Sequence, residues 1–280
     1  MRMLVLLAGL ALAGCTQVHA PDRQERQHPT IVSLNPCSDA VLAEIADPVQ
    51  VLALSHYSHD PVSSSMDVSK ARQFASVSGA VEELLALGPD LVIAGAFLPP
   101  ATRAALSDFG VPVMTVPIAT SVEESQQQIT QLARAIGYPE RGRALNARVD
   151  AALLQAARPD GSGDISAIVW QAGGIVPGED TLVADLLRRT GFQHASAARG
   201  MAQAEYLPLE AMLADPPRVI FAAGNLRSGE NRLLSHPALA ALPDTIRAPL
   251  DPALLWCGGP TIIRAAERMA QVRKRAAQTQ

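Results

Sequence analysis

Within seven residues, "SHYSHDP", Ser55 to Pro61, gathers two histidines, a tyrosine and an aspartate. Such side chains can hold a metal ion, relay a proton or line a binding cleft. His56 and His59 stand three residues apart, but in a loop that spacing imposes no ligand geometry. With Asp60 and no third, separated ligand they make a weak zinc motif, so no bare-ion site is expected. Asp60 ahead of Pro61 is also an ordinary turn residue. "SDA" and "SHD" together supply Ser, His and Asp. No G-x-S-x-G elbow accompanies them, and no glycine-rich phosphate loop follows the first strand-like run. The expectation is a protein that is not an enzyme, with no catalytic residues.

The cysteines carry the other reactive chemistry. "MRMLVLLAGLALAGC" starts positively at Arg2, is apolar from Leu4 to Leu12 and passes through small residues to Cys15. The apolar run is too short to span a membrane and has the form of an export signal. Its Leu-Ala-Gly-Cys end resembles the lipobox of bacterial lipoproteins. That resemblance implies a signal peptide over 1–14, cleavage before Cys15 and lipid on its sulfur; an ordinary signal with an incidental cysteine is the alternative. Residues 15–29 are polar and aperiodic and read as a flexible tether. Cys37 and Cys257 remain. In an oxidising exported compartment they can pair, or stay as thiols facing a ligand, Cys37 at a helix start where a thiolate is favoured. Spacing alone does not choose.

These residues need a scaffold. A chain of 280 residues, 48% hydrophobic and 18% charged, folds and is long enough for two lobes. A net charge of -4 without a long run of one sign argues against nucleic acid as a partner. "TIVSLN" is strand-like. "PCSDAVLAEIA" is a helix with Val41, Leu42 and Ile45 as its stripe, and Ser38 or Asp39 stands where a cap belongs. "VQVLALS", "DLVIAG" and "VPVMTVP" are further strands, separated by helices; Ser121 and Glu124 have capping-box spacing. This alternation predicts a first α/β lobe over 30–138. "PERGRALNARVDAALLQAARP" reads as one long helix, 139–159, with Leu145, Val149, Ala152, Leu153 and Ala156 on its apolar face. Strands "ISAIVWQAG" and "RVIFAAG" then alternate with helices, closing on "PTIIRAAERMAQVRKRAA", which predicts a second lobe over 160–280. The expected fold is α/β: two Rossmann-like lobes with mainly parallel sheets, joined by one long helix, with the ligand cleft between them.

"IVSLNPCSD", "LALSHYSHDP", "VEELLALGPDLVIAG" and "LPLEAMLADPPRVIFAAG", in this order behind an export signal, resemble the class III periplasmic solute-binding proteins of ABC importers. These serve cobalamin, ferric siderophores and haem, and the likeness is nearest to cobalamin binders. It covers about Thr30 to Met269. It implies a periplasmic, lipid-anchored monomer without an intrinsic cofactor, which captures a metal-chelate ligand and hands it to a permease and its ATPase. It implies that Glu82 and Glu210, one per lobe, dock onto permease arginines, with Glu83 the residue most easily confused with Glu82. Helix-start positions also suit acidic residues for reasons of dipole alone.

Ligands of α/β lobes collect at the C-terminal ends of strands. The scarce large rings Tyr57, Phe97, Trp170 and Trp256 fall there, as a flat, mostly apolar ligand requires; core packing is the alternative, strongest for Trp170 inside its strand. The resemblance implies a corrinoid as ligand, with haem or a ferric siderophore as the alternative. It makes Tyr57 a stacking contact or an axial ligand, and leaves His56 or His59 as a metal-chelate ligand. Arg227 and Arg232, in "GNLRSGENR", would meet anionic ligand groups or remain solvated loop charges.

Overall fold

The computed structural model describes residues 27–158, 163–224 and 234–279. The signal and most of the tether, with Cys15, lie outside these residues, as do Arg227 and Arg232. The last tether residues pack on the first lobe: the Pro29 carbonyl accepts from Gln50 Nε2 at 2.9 Å, and the His28 ring lies 4.5 Å from that of Tyr138.

The first lobe runs β1 (Ile31–Ser33), α1 (Pro36–Ile45), β2 (Val51–Ser55), α2 (Val68–Ala71), β3 (Ser76–Val77), α3 (Val81–Leu87), β4 (Leu91–Gly95), α4 (Pro100–Asp108), β5 (Val113–Val116) and α5 (Val122–Ala135). Its sheet has the order β3-β2-β1-β4-β5, parallel throughout. Successive strand residues point to opposite faces. Ile31 and Ile93 therefore join one core layer and Val32 and Val92 the other, so both faces are covered by helices. Asn35, rather than Ser38 or Asp39, caps α1: its side chain accepts from the Cys37 N–H at 3.0 Å, and Pro36 takes the first helical position, where it has no donor to lose. Ser38 and Asp39 lie inside the helix and are buried. Ser121 caps α5 as its spacing predicts, but Glu124 reaches back to the N–H of Thr120.

α6 (Pro139–Ala156) crosses to the second lobe, with its predicted stripe buried against α5, α1 and the C-terminal helix Thr261–Gln278. That lobe runs β6 (Ile165–Gln171), β7 (Ile175–Val176), α7 (Leu182–Arg189), β8 (Phe192–His194), α8 (Ala195–Ala198), β9 (Glu205–Tyr206), α9 (Leu209–Ala214), β10 (Val219–Ala223), α10 (Pro237–Ala240), β11 (Ile246–Leu250) and α11 (Thr261–Gln278). The parallel sheet has the order β11-β10-β6-β8, and β7 and β9 form a small antiparallel ribbon. β11 escapes sequence reading because Pro249 interrupts it; the strand sits at the sheet edge, where a proline is tolerated.

Several contacts join the lobes. The Gly259 N–H donates to Ser125 Oγ at 2.7 Å, and Thr261 Oγ1 donates to the Ser65 carbonyl at 3.2 Å. Val122 N–H donates to Asp185 Oδ2 at 2.9 Å, and Arg189 pairs with both Asp185 and Glu123. No helix among the described residues is long and apolar enough to cross a membrane.

Candidate functional site

The strand order reverses direction between β1 and β4, which is where a doubly wound sheet leaves a crevice. A cavity of about 760 Å³ opens there. Leu34 to Cys37 form its floor after β1, Phe97 to Pro99 one side after β4, and Tyr57 and Val62 another after β2. Trp256 and Cys257 close it from the second lobe. Phe97 is 84% exposed, Trp256 58% and Tyr57 50%. Three large rings left in water around one concavity form an apolar patch that a ligand would cover. The wall contains no Asp, Glu, Lys, Arg or His among the described residues.

Cys37 and Cys257 form a disulfide, with Cα atoms 5.1 Å apart. The fold brings together residues 220 positions apart in sequence and places the bridge in the cavity wall. Of the two readings left open by the sequence, free thiols facing a ligand is therefore set aside.

Tyr57 sits in a 3-10 turn over His56–His59, and its N–H donates to Ser55 Oγ at 3.3 Å. Beneath the turn lies Asp39, fully buried. Its Oδ2 accepts from the Ser55 N–H at 3.0 Å and from Ser58 Oγ at 2.6 Å. Burial pushes the Asp39 carboxyl up to about 7, against hydrogen bonding from Ser33, Ser58 and Ser55. In the sequence alone this residue, like Ser38, stands where a helix cap belongs. A better signal is its position three residues before Leu42, on the buried stripe of α1.

The two histidines are held by backbone rather than presented to the cavity. His56 Nδ1 is 3.2 Å from the Val77 carbonyl and its ring stacks on Tyr57 at 4.1 Å; His59 Nε2 is 3.1 Å from the Ala71 carbonyl. Neither lines the wall. Asp60 is the turn residue its context suggests, accepting from Val62 N and Ser63 Oγ, bonds that hold its carboxyl below the usual range. No cluster of three metal-ligating side chains occurs among the described residues.

Trp170 does not reach the cavity. It is fully buried, on the face of β6 packed with Val176, Leu207, Met212 and Ile220. Tyr206, which sequence reasoning passed over, is 58% exposed on the ribbon that follows the C-terminal end of β6; its pairing with Ile175 is what puts the ring there. Glu83 is occupied locally, accepting from Ser78 N at 2.8 Å and Oγ at 2.7 Å. Its neighbour Glu82 is exposed and makes no hydrogen bond or ion pair among the described residues, and Glu210 is exposed in the first turn of α9.

Two parallel α/β lobes bridged by a single helix, with an apolar cavity between them, define a solute-binding architecture. The chain belongs to the periplasmic binding protein family, whose model matches residues 31–247. It is accordingly a binding component of transport rather than an enzyme. No curated protein matches the chain by sequence. Among solved structures, the periplasmic vitamin B12 binding protein BtuF of Vibrio cholerae is similar, with 21% identity, a TM-score of 0.69 and coverage of 90% of this chain and 99% of that one. The periplasmic heme binding protein HutB of Vibrio cholerae has 20% identity, a TM-score of 0.71 and coverage of 87% and 98%. Helicobacter pylori CeuE with Ni(II) bound has 19%, 0.66, and 90% and 85%. At such identities the likeness is one of fold. The cobalamin binder stands as one of several comparable relatives rather than apart from them.

Proposed function

We propose that the chain is a lipid-anchored solute-binding protein that captures a corrinoid and delivers it to an ABC import permease and its ATPase, acting as a monomer. The observation that carries this reading is the cavity of about 760 Å³ at the strand switch point, rimmed by Tyr57, Phe97 and Trp256. Rings of this size bury large apolar areas against a flat macrocycle. The absence of charged side chains from the described wall favours a nearly neutral ligand. Haem or a ferric siderophore is the second reading. The half-exposed Tyr57 on the wall supports it, because a phenol oxygen can ligate ferric iron. Cys15 would carry the lipid, and Glu82 and Glu210 would meet basic pockets on the permease. Two separated carboxylates on one body set orientation and association rate more than affinity.

The test is thermal unfolding of the unlipidated protein, starting at Thr16, with cyanocobalamin, cobinamide, haemin or a ferric hydroxamate in excess, alongside visible spectra. A solute that binds the folded state adds about 2.7 kcal/mol at a hundredfold excess over Kd. Stabilisation by the corrinoids alone supports the first reading. A Soret shift with haemin that is lost in Tyr57→Phe moves the assignment to haem.

A further inference from the structure

We infer that the first turn of α1 is a single positioning unit for two aromatic lips of the cavity: Cys37 holds Trp256 of the second lobe through the disulfide, and Asp39 holds Tyr57 of the first lobe through the Ser55–Ser58 turn. The inference rests on the reading of this cavity as the solute site.

Asn35 and Pro36 start α1 at the cavity floor, which places Cys37 and Asp39 in one helical turn. The sulfur of Cys37 bonds the residue next to Trp256. The lobes themselves have other fastenings. Gly259 is bonded to Ser125, Thr261 and Arg264 to Ser65, and Asp185 to Val122. Breaking the sulfur bridge therefore leaves the lobes docked. What it releases is the short segment between Leu254, at the end of a 3-10 turn, and Gly258, which carries an indole exposed to water.

On the other side, burying a carboxyl with no cation beside it among the described residues costs stability, and the hydrogen bonds that Asp39 Oδ2 accepts from the Ser55 N–H and Ser58 Oγ both come from the turn carrying Tyr57. Ser55 and Ser58 bracket that ring, so holding these two residues sets the direction in which Tyr57 leaves the backbone. Both rings are thereby placed before a solute arrives. A ring that must be ordered on binding weakens affinity roughly threefold to tenfold.

Ring mobility can be read without any solute. The protein has three tyrosines and two tryptophans, and Trp170 is buried. Fluorine spectra of 3-fluorotyrosine protein, assigned with Tyr57→Phe, follow Tyr57; time-resolved anisotropy follows Trp256 over the rigid Trp170. In the Cys37→Ser/Cys257→Ser double variant, we expect a fast anisotropy component that the wild type lacks, with the Tyr57 signal unmoved. In Asp39→Ala, we expect the Tyr57 resonance to shift and narrow, with Trp256 unmoved; Asp39→Asn, which keeps an oxygen for Ser55 and Ser58, restores it. Binding of whichever of cyanocobalamin or haemin the wild type takes should weaken roughly threefold to tenfold in each defective variant. If the double variant does not fold, dithiothreitol treatment of the folded wild type replaces it. Unchanged ring mobility in folded variants overturns the inference. If neither probe binds the wild type, the solute assignment fails, and the mobilities alone still decide the positioning.

Discussion

Asp39 ties the structure to a pH dependence that runs against the usual direction for a carboxylate. The unfolded chain releases its proton near 3.8, whereas the buried carboxyl holds it up to about 7. Between those values the native state binds a proton that the unfolded state has lost, so this contribution to stability is fully present below the window and is lost as pH rises through it. At about 1.4 kcal/mol for each pH unit, the whole window amounts to something on the order of 4 kcal/mol. Asp39→Asn removes the titration while imitating the neutral acid. Its oxygen still accepts from Ser55 and Ser58, and its NH2 occupies the side of Oδ1. The assay is urea unfolding of wild type and variant at pH 5, 6, 7 and 8. Glu44, Glu83 and Asp67, all held below the usual carboxylate range, lose their contribution on acidification in both proteins, and so does His194, whose burial depresses it. Those effects cancel in the difference between the two curves. The variant should exceed the wild type by only about 1.6 kcal/mol at pH 5, where the unfolded acid has passed its 3.8 by little more than one pH unit, and by about 4 kcal/mol at pH 8. A difference that is flat with pH would show that Asp39 is not protonated in the folded protein, and the reasoning would fail.

Trp170 and Trp256 should separate cleanly. Trp170→Ala empties the second core and should cost about 3–5 kcal/mol in urea unfolding, whereas Trp256→Ala should change stability by about 0.5 kcal/mol or less and lower solute affinity in titration. Loss of the Cys37–Cys257 bridge, which closes a loop of 220 residues, should destabilise by about 5 kcal/mol on chain-entropy grounds, read as a lower urea midpoint in the Ser/Ser variant; an unchanged midpoint would contradict it. Charge reversal of Glu82 together with Glu210 should leave solute affinity within about twofold and abolish stimulation of the importer's ATPase in reconstituted vesicles, whereas Glu83→Lys should spare that stimulation.

Local pattern already specifies much of this protein. The nearly unbroken apolar runs at Val51–Ser55, Leu91–Gly95 and Val219–Ala223 are strands because a parallel strand covered on both faces needs apolar residues on both. The stripe of α6 is legible because a helix repeats every 3.6 residues whatever it packs against. The strand ends could be marked as the binding side for the same reason of topology. Pattern stops where the outcome depends on which elements become neighbours. Trp170 and Trp256 look alike along the chain, and only the packing of helices over β6 hides one while the loop after β11 exposes the other. His56 and His59 are ligand candidates by residue type alone, and only the fold places the Val77 and Ala71 carbonyls beside them. Asp39 reads as a cap because its partners, Ser55 and Ser58, lie on another strand's turn. Cys37 and Cys257 become a bond because two lobes, built from distant stretches of chain, bring their Cα atoms to 5.1 Å. Local periodicity encodes elements, whereas a contact between residues 220 apart exists only once the long-range packing has formed.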